Sequence, residues 1–377
     1  MDLYEIAERS VVGCISGRYV APEVVCDFLQ GKNNVALIGH STQGRAIHQY
    51  TFGRGATKLL MWSQMHGNES TTTKAVLDLI NFLESNQASV LKDKFTIRII
   101  PMLNPDGALL WTRNNANDID LNRDAQNLTQ EESRILRRII DDFSPDLCFN
   151  LHDQRTIFGL KETKQPATIS FLSPSYNPQK EINNVRLKTM KYITIMNSVL
   201  QQHIAGQIGR FDDGFNINCI GDKLHSQGIS TILIEAGHFP NDYNRDITRK
   251  YVLLSILTVL FNWDIKKNDE EVIKEYFNIF QNEKIFFDVI YKNVLINYEN
   301  TKKVISFAVQ MSESVQQNEL SFVGKIAQVD NLEGYLGHQE FDLGQMLYMD
   351  GRANMPEVGG EANFTIGNIT FENGFPK

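Results

Sequence analysis

Short, near-continuous apolar runs recur through the first 265 residues, at 35–38, 59–65, 95–102, 146–151 and 230–235. Runs of this length and character predict strands covered on both faces. Segments with helical periodicity lie between them. In 69–85, Ala75, Leu79, Phe82 and Leu83 share one helical stripe. The segment 129–143 opens with Thr129 and Glu132 at capping-box spacing, and 181–205 and 243–263 are further helix candidates. Strand and helix alternating in this way predict a doubly wound α/β sheet.

The pattern then changes twice. Residues 265–271 turn charged and polar, as a linker or helix cap would. Beyond Lys284, apolar and polar residues alternate at 285–291, 303–309, 320–324 and 362–367, with Gly and Asn between, which predicts a small β module. The expected division is a large domain over 1–270 and a β-rich domain over 271–377, the latter a packing or dimerisation element that leaves homo-oligomerisation open. A chain of 377 residues has room for both.

Charge and composition narrow the partners. A net charge of −8 and a pI near 5.6, with no basic stripe, argue against nucleic acid. The longest apolar stretch, 251–263, is too short to span a bilayer and carries Ser255, Thr258 and Asn262, so no membrane partner is expected. The acidic N-terminus shows no apolar signal region. Cys14, Cys26, Cys148 and Cys219 form no Cys-x-x-Cys pair. Cys14 and Cys26 could bridge, but four cysteines in a chain of this size suit a reducing compartment better, and a cytoplasmic location is expected.

Chemistry enters at the strand ends. His66 and Glu69, in His66-Gly-Asn-Glu69, follow the run 59–65; His152 follows 146–151; Glu235 ends 230–235. In open α/β sheets ligands bind beyond the carboxyl ends of the strands. Three distant segments therefore deliver metal-type side chains to one edge. Two imidazoles and a carboxylate can hold a catalytic zinc ion and leave a position open for water. A structural ion pair is the alternative for Glu235, and a hydrogen-bonded structural histidine for each imidazole.

The ordered set His66-x-x-Glu69, Asn104-Pro-Asp-Gly107, Asp120-Leu-Asn-Arg123, His152 and Glu235 resembles the zinc metallocarboxypeptidases of the carboxypeptidase A type, in their bacterial peptidase branch, over roughly 35–265. The resemblance implies that family's mixed α/β sheet and one Zn2+ per chain on His66, Glu69 and His152. It implies Glu235 as general base and proton shuttle and Arg113 as the cation facing the oxyanion. Asn122 and Arg123 would grip a substrate's terminal carboxylate, and Asp120 would orient a zinc-bound imidazole. Asn104–Gly107 reads as a scaffold turn. The family's mobile tyrosine has no counterpart in 210–220, where Phe211 or Phe215 could fill the space without donating a hydrogen bond. Asp153, Arg155 and His238 lie beside the motifs as substrate contacts or structural residues.

The implied activity is hydrolysis of a terminal peptide bond in a substrate with a free carboxylate, muropeptides included. His-Gly-Asn-Glu and Asp-Leu-Asn-Arg also occur in N-acyl-amino-acid deacylases of the succinylglutamate desuccinylase and aspartoacylase type, which would take an N-acyl amino acid. A non-catalytic zinc-binding protein on the same fold is the third reading.

Overall fold

The computed structural model describes residues 2–298, 301–317, 319–351 and 354–377, which divide into two units. The first comprises 1–154 and 167–282, the second 155–166 and 283–377. The expected boundary at 270 falls twelve residues early, because the helix Asp269–Phe277 buries Val272 and Tyr276 in the first unit's core.

In chain order the strands up to residue 236 are β1 Val35–His40, β2 Ala46–Gly53, β3 Thr57–Ser63, β4 Phe95–Ile100, β5 Leu147–Asp153, β6 Phe158–Leu160, β7 Gln165–Pro166, β8 Ile169–Leu172, β9 Ile208–Arg210 and β10 Thr231–Ala236. All but β6 and β7, which belong to the second unit, form one mixed sheet in the order β1-β2-β4-β3-β5-β10-β8-β9. Its centre, β4-β3-β5-β10, is parallel. The helices are α1 Leu3–Arg9, α2 Pro22–Leu29, α3 Thr71–Leu83, α4 Pro105–Leu110, α5 Glu131–Phe143, α6 Asn184–Leu200, α7 Ile220–Ser226, α8 Asp246–Phe261 and α9 Asp269–Phe277.

Alternate residues of the central strands feed opposite faces. Leu59 and Met61 join α3, α6 and α8 in one core; Leu60, Trp62 and Cys148 join Ile135, Leu136, Ile139 and Ile140 of α5 in the other. Burial on both faces is why these strands read as continuous apolar runs. From β3 the chain passes to β4 on one side and later to β5 on the other. The crevice beyond the ends of β3 and β5 is therefore a topological switch point, where open α/β sheets bind ligands. Among the described residues no helix is long and apolar enough to cross a membrane.

Local expectations fail where side chains find distant partners. The run 35–38 is an edge strand rather than a central one, and Leu37 is exposed. The capping box at Thr129 does not form. Thr129 donates its hydroxyl to Asp124 Oδ1 at 2.8 Å, while the Glu132 carboxylate accepts from Thr42 N and Asn115 Nδ2. Asn104–Gly107, expected as a scaffold turn, forms the capped opening of α4; Asn104 Oδ1 caps Gly107 N, and buried Asp106 accepts from Ser41, Gln43 N and Arg45.

Asp222 on α7 is buried and accepts from Asn216 N at 2.8 Å; burial pushes its carboxyl up to about 6. An acid raised above its unfolded value near 3.9 binds an extra proton in the native state between the two, so stability falls as pH rises through that window. Asp222→Asn keeps the acceptor and removes the charge. Relative to the wild type it should gain up to about 3 kcal/mol between pH 4 and pH 7, read from urea midpoints at both pH values; parallel curves would rule this out.

The second unit is β-rich. Phe286–Tyr298, Thr301–Gln316, Glu319–Val329 and Leu336–Asp342 form one four-stranded sheet. Four short strands between Tyr348 and Pro376 form another. Their shared core is aromatic, with Tyr291 stacked on Phe307 at 4.6 Å and edge-on to Phe364 and Phe371.

Candidate metal centre and active site

Two motifs shape the loop after β3. Gln64, buried and left-handed at φ 51°, turns the chain out of the strand; its side chain donates to Gly67 O and accepts from Thr73. Gly67 then packs backbone to backbone on α4: a Cβ there would lie 1.9 Å from the Gly107 carbonyl carbon. Only glycine permits that approach. The close packing of the His66-Gly-Asn-Glu69 loop on the Asn104–Gly107 turn fixes the loop's course.

His66, Glu69 and His152 converge at the switch point, all buried, with one ligand atom from each within 4.8 Å of the others. His66 Nδ1 lies 2.8 Å from Glu69 Oε1 and 3.1 Å from His152 Nδ1, and His152 Nδ1 lies 2.8 Å from Glu69 Oε2. Asp120 Oδ1 sits 3.0 Å from His66 Nε2. A carboxylate can only accept there, so Nε2 carries the proton and the Nδ1 lone pair faces the cluster. Lone pairs turned on one point repel unless a cation lies among them. Tetrahedral zinc donors at 2.0–2.1 Å stand about 3.3 Å apart, close to the spacing observed, so the donor set fits such an ion.

Titration follows the same arrangement. Burial alone would raise the Glu69 carboxyl, but the two imidazoles beside it carry it well below the usual range. Burial lowers His152. It would lower His66 too, but Glu69 and Asp120 outweigh it and raise that imidazole. Asp120 is held low by the same contact and by Arg113 and Arg123.

Glu235 is directly opposite His152 on the parallel neighbour β10 and opposite Ser170 on β8. Burial and the charges of Glu69 and Asp153 push its carboxyl well above the ordinary range. Arg113, partly exposed, reaches Glu69 Oε1 at 3.3 Å and Asp120 Oδ2 at 3.1 Å. Asn122 turns its carbonyl oxygen to Ile220 N at 3.0 Å, which leaves its amide hydrogens as donors, and exposed Arg123 donates to Asn122 O at 2.9 Å.

The comparisons with known proteins bear on this same stretch. The family described as "Zinc carboxypeptidase" matches residues 32–145, a segment that contains His66, Glu69, Arg113, Asp120, Asn122 and Arg123. Over these residues the chain is similar to the zinc carboxypeptidase family. "Probable carboxypeptidase 2" of Arthroderma benhamiae and "Carboxypeptidase 2" of Trichophyton rubrum are each 34% identical over 100 residues, 26% of this chain and 19% of theirs. The chain thus matches about a fifth of the length of these curated relatives. A metallo-carboxypeptidase from Burkholderia cenocepacia shares the fold at a TM-score of 0.53 and 16% identity, over 65% of this chain and 70% of that one. One from Pseudomonas aeruginosa, in complex with (2-guanidinoethylmercapto)succinic acid, aligns at 0.53 and 17%, with the same coverage. The first unit thus carries the zinc carboxypeptidase fold, and His152 and Glu235 lie outside the matched family segment.

The flanking residues divide. Asp153 turns its carboxylate to the N-terminus of α3 and to Arg18. His238 is buried, its ring 4.9 Å from Tyr243. Arg155 falls in the second unit. Phe211 and Phe215 are half-buried in the loop 211–219. Sequence reasoning missed two buried arginines. Arg245 donates to Ala236 O at 2.6 Å and Gln154 O at 2.8 Å, tying together the ends of β10 and β5; Arg18 contacts Asn68, next to Glu69, and Asp153, next to His152. A buried arginine gives no periodic signal, and only its three-dimensional partners reveal it.

Proposed function

We propose that the chain is a zinc-dependent hydrolase of the metallocarboxypeptidase kind, cleaving a terminal amide bond in a peptide with a free carboxylate. One observation carries this reading: two buried imidazoles and a carboxylate converge at the switch point, with Glu235 in register beside His152 on the next strand. His66, Glu69 and His152 would hold the ion. Zinc bound there would polarise the scissile carbonyl and make a water acidic near neutral pH. Glu235 takes the proton from the attacking water and passes it to the leaving amine, a role that a raised pKa suits. Arg113, the cation at the edge of the cluster, offsets the charge that develops on the carbonyl oxygen. Asp120 keeps His66 in one tautomer. Asn122 and Arg123 bind the terminal carboxylate. Every residue in this scheme belongs to the first unit.

The test is a panel of free-acid peptides, their amides, muropeptides and N-acyl amino acids, assayed with and without chelator alongside a measurement of bound zinc. Chelator-sensitive release of a C-terminal amino acid supports the reading. Turnover of N-acyl amino acids alone would move it to the deacylases, and a zinc-loaded protein that hydrolyses none of them would overturn it.

Arg123→Ala should raise KM for free-acid substrates by about 10- to 100-fold, the worth of a charge-assisted hydrogen bond, with kcat nearly unchanged. An equal loss on amidated substrates would show that Arg123 does not read the carboxylate.

A further inference from the structure

The metal-ligand segments are held by a residue outside the family-matched stretch. Arg18 lies in the N-terminal segment between α1 and α2 and is buried. Its Nη1 donates to Asp153 Oδ2 at 2.5 Å and to the Thr71 hydroxyl at 3.0 Å, and its Nη2 donates to Asn68 O at 3.3 Å. Its guanidinium lies 5.3 Å from the centre of the Trp111 ring, two residues before Arg113. The Arg18 carbonyl accepts the hydroxyl of Ser70, which is why that N-cap residue of α3 does not cap its own helix.

Asp153 supplies the cap from a distant strand. Its carboxylate accepts from Thr71 N at 2.9 Å and Thr72 N at 3.3 Å, where the helix end favours negative charge. Its backbone N–H meanwhile donates to Glu69 Oε2 at 3.1 Å. One carboxylate thus joins the end of β5, which carries His152, to the start of α3, which follows Glu69. Arg18 neutralises that buried carboxylate and grips the Asn68 carbonyl beside Glu69.

We propose that Arg18 is a positioning residue for the metal centre, acting through Asp153 and Asn68 to keep Glu69 and His152 at ligand distance. The proposal rests on the metal reading above. Substrate does not enter it: the guanidinium is buried and bonded to the protein groups Thr71, Asp153 and Asn68 O.

Arg18→Met, Arg18→Lys and a remote core control, Leu257→Ala, are compared by zinc affinity in chelator competition and by thermal stability. Arg18→Met should weaken zinc binding by about 10- to 100-fold, as loss of an outer partner does. Arg18→Lys, which restores the charge opposite Asp153, should recover part of this. Leu257→Ala, chosen to lose similar stability, should bind zinc as the wild type does. Wild-type affinity in Arg18→Met, or an equal loss in Leu257→Ala, overturns the proposal. If Arg18→Met does not fold, the double variant Arg18→Met/Asp153→Asn, with no unpaired buried charge, carries the same test, and wild-type affinity there overturns it equally. A wild-type protein that binds no zinc removes the metal reading itself, an outcome distinct from a zinc-loaded wild type beside an unaffected variant.

Discussion

His66→Ala and His152→Ala should each lose zinc and hydrolysis together. Removing a ligand should cost more than the roughly 10- to 100-fold in affinity that losing an outer partner costs, because the remaining imidazole and Glu69 cannot enclose an ion alone. Stability makes the loss visible without substrate. A ligand that binds only the folded state stabilises it by about 4 kcal/mol at a thousandfold excess over its Kd. Added zinc should therefore raise the wild-type melting temperature by several degrees and leave both variants unmoved. In metal-free protein the variants should also differ from each other. His66→Ala strips Asp120 of its imidazole partner, whereas His152→Ala leaves that hydrogen bond in place. His66→Ala should be the less stable by about 1 kcal/mol, the worth of one hydrogen bond. A variant that keeps its zinc-induced shift would remove that histidine from the ligand set.

How far such a site can be read from sequence depends on where each residue finds its partners. The strands β3, β5 and β10 were legible because burial on both faces leaves few polar residues in them. The meeting of His66, Glu69 and His152 followed from one rule, that strand ends on one edge of an open sheet converge. β2 was overlooked because His48, Gln49 and Thr51 interrupt its apolar pattern, and β8 and β9 because four and three residues give too little pattern to read. The capping box at Thr129 failed through competition: Asp124 takes the hydroxyl, and Glu132 is drawn to Thr42 and Asn115, which no local rule anticipates. The same holds for Arg18, whose partner Asp153 is 135 positions away. Local chemistry writes the elements into the sequence, while the shell around His66, Glu69 and His152 is set by contacts that exist only once the sheet has closed.

Glu235→Gln isolates the chemical step from binding. Glutamine keeps the shape of the side chain but cannot take a proton, so kcat should fall by about 10²- to 10⁴-fold, the range for loss of a general base, while KM and bound zinc stay near wild-type values. The pH profile supplies a second readout. Glu235 must be ionised to accept the proton, so activity should fall as pH drops through its pKa. Burial and the neighbouring Glu69 and Asp153 carboxylates raise that pKa. A cation held at Glu69 would offset its share, leaving burial and Asp153. The acidic limb of kcat/KM should accordingly lie above the roughly 4.3 of an unperturbed glutamate, and the residual activity of Glu235→Gln should lack it. If the variant retains both the rate and the limb, the base lies elsewhere. If it loses zinc along with the rate, Glu235 is holding the site together rather than moving its proton, since a shuttle that never touches the ion can be neutralised without releasing it.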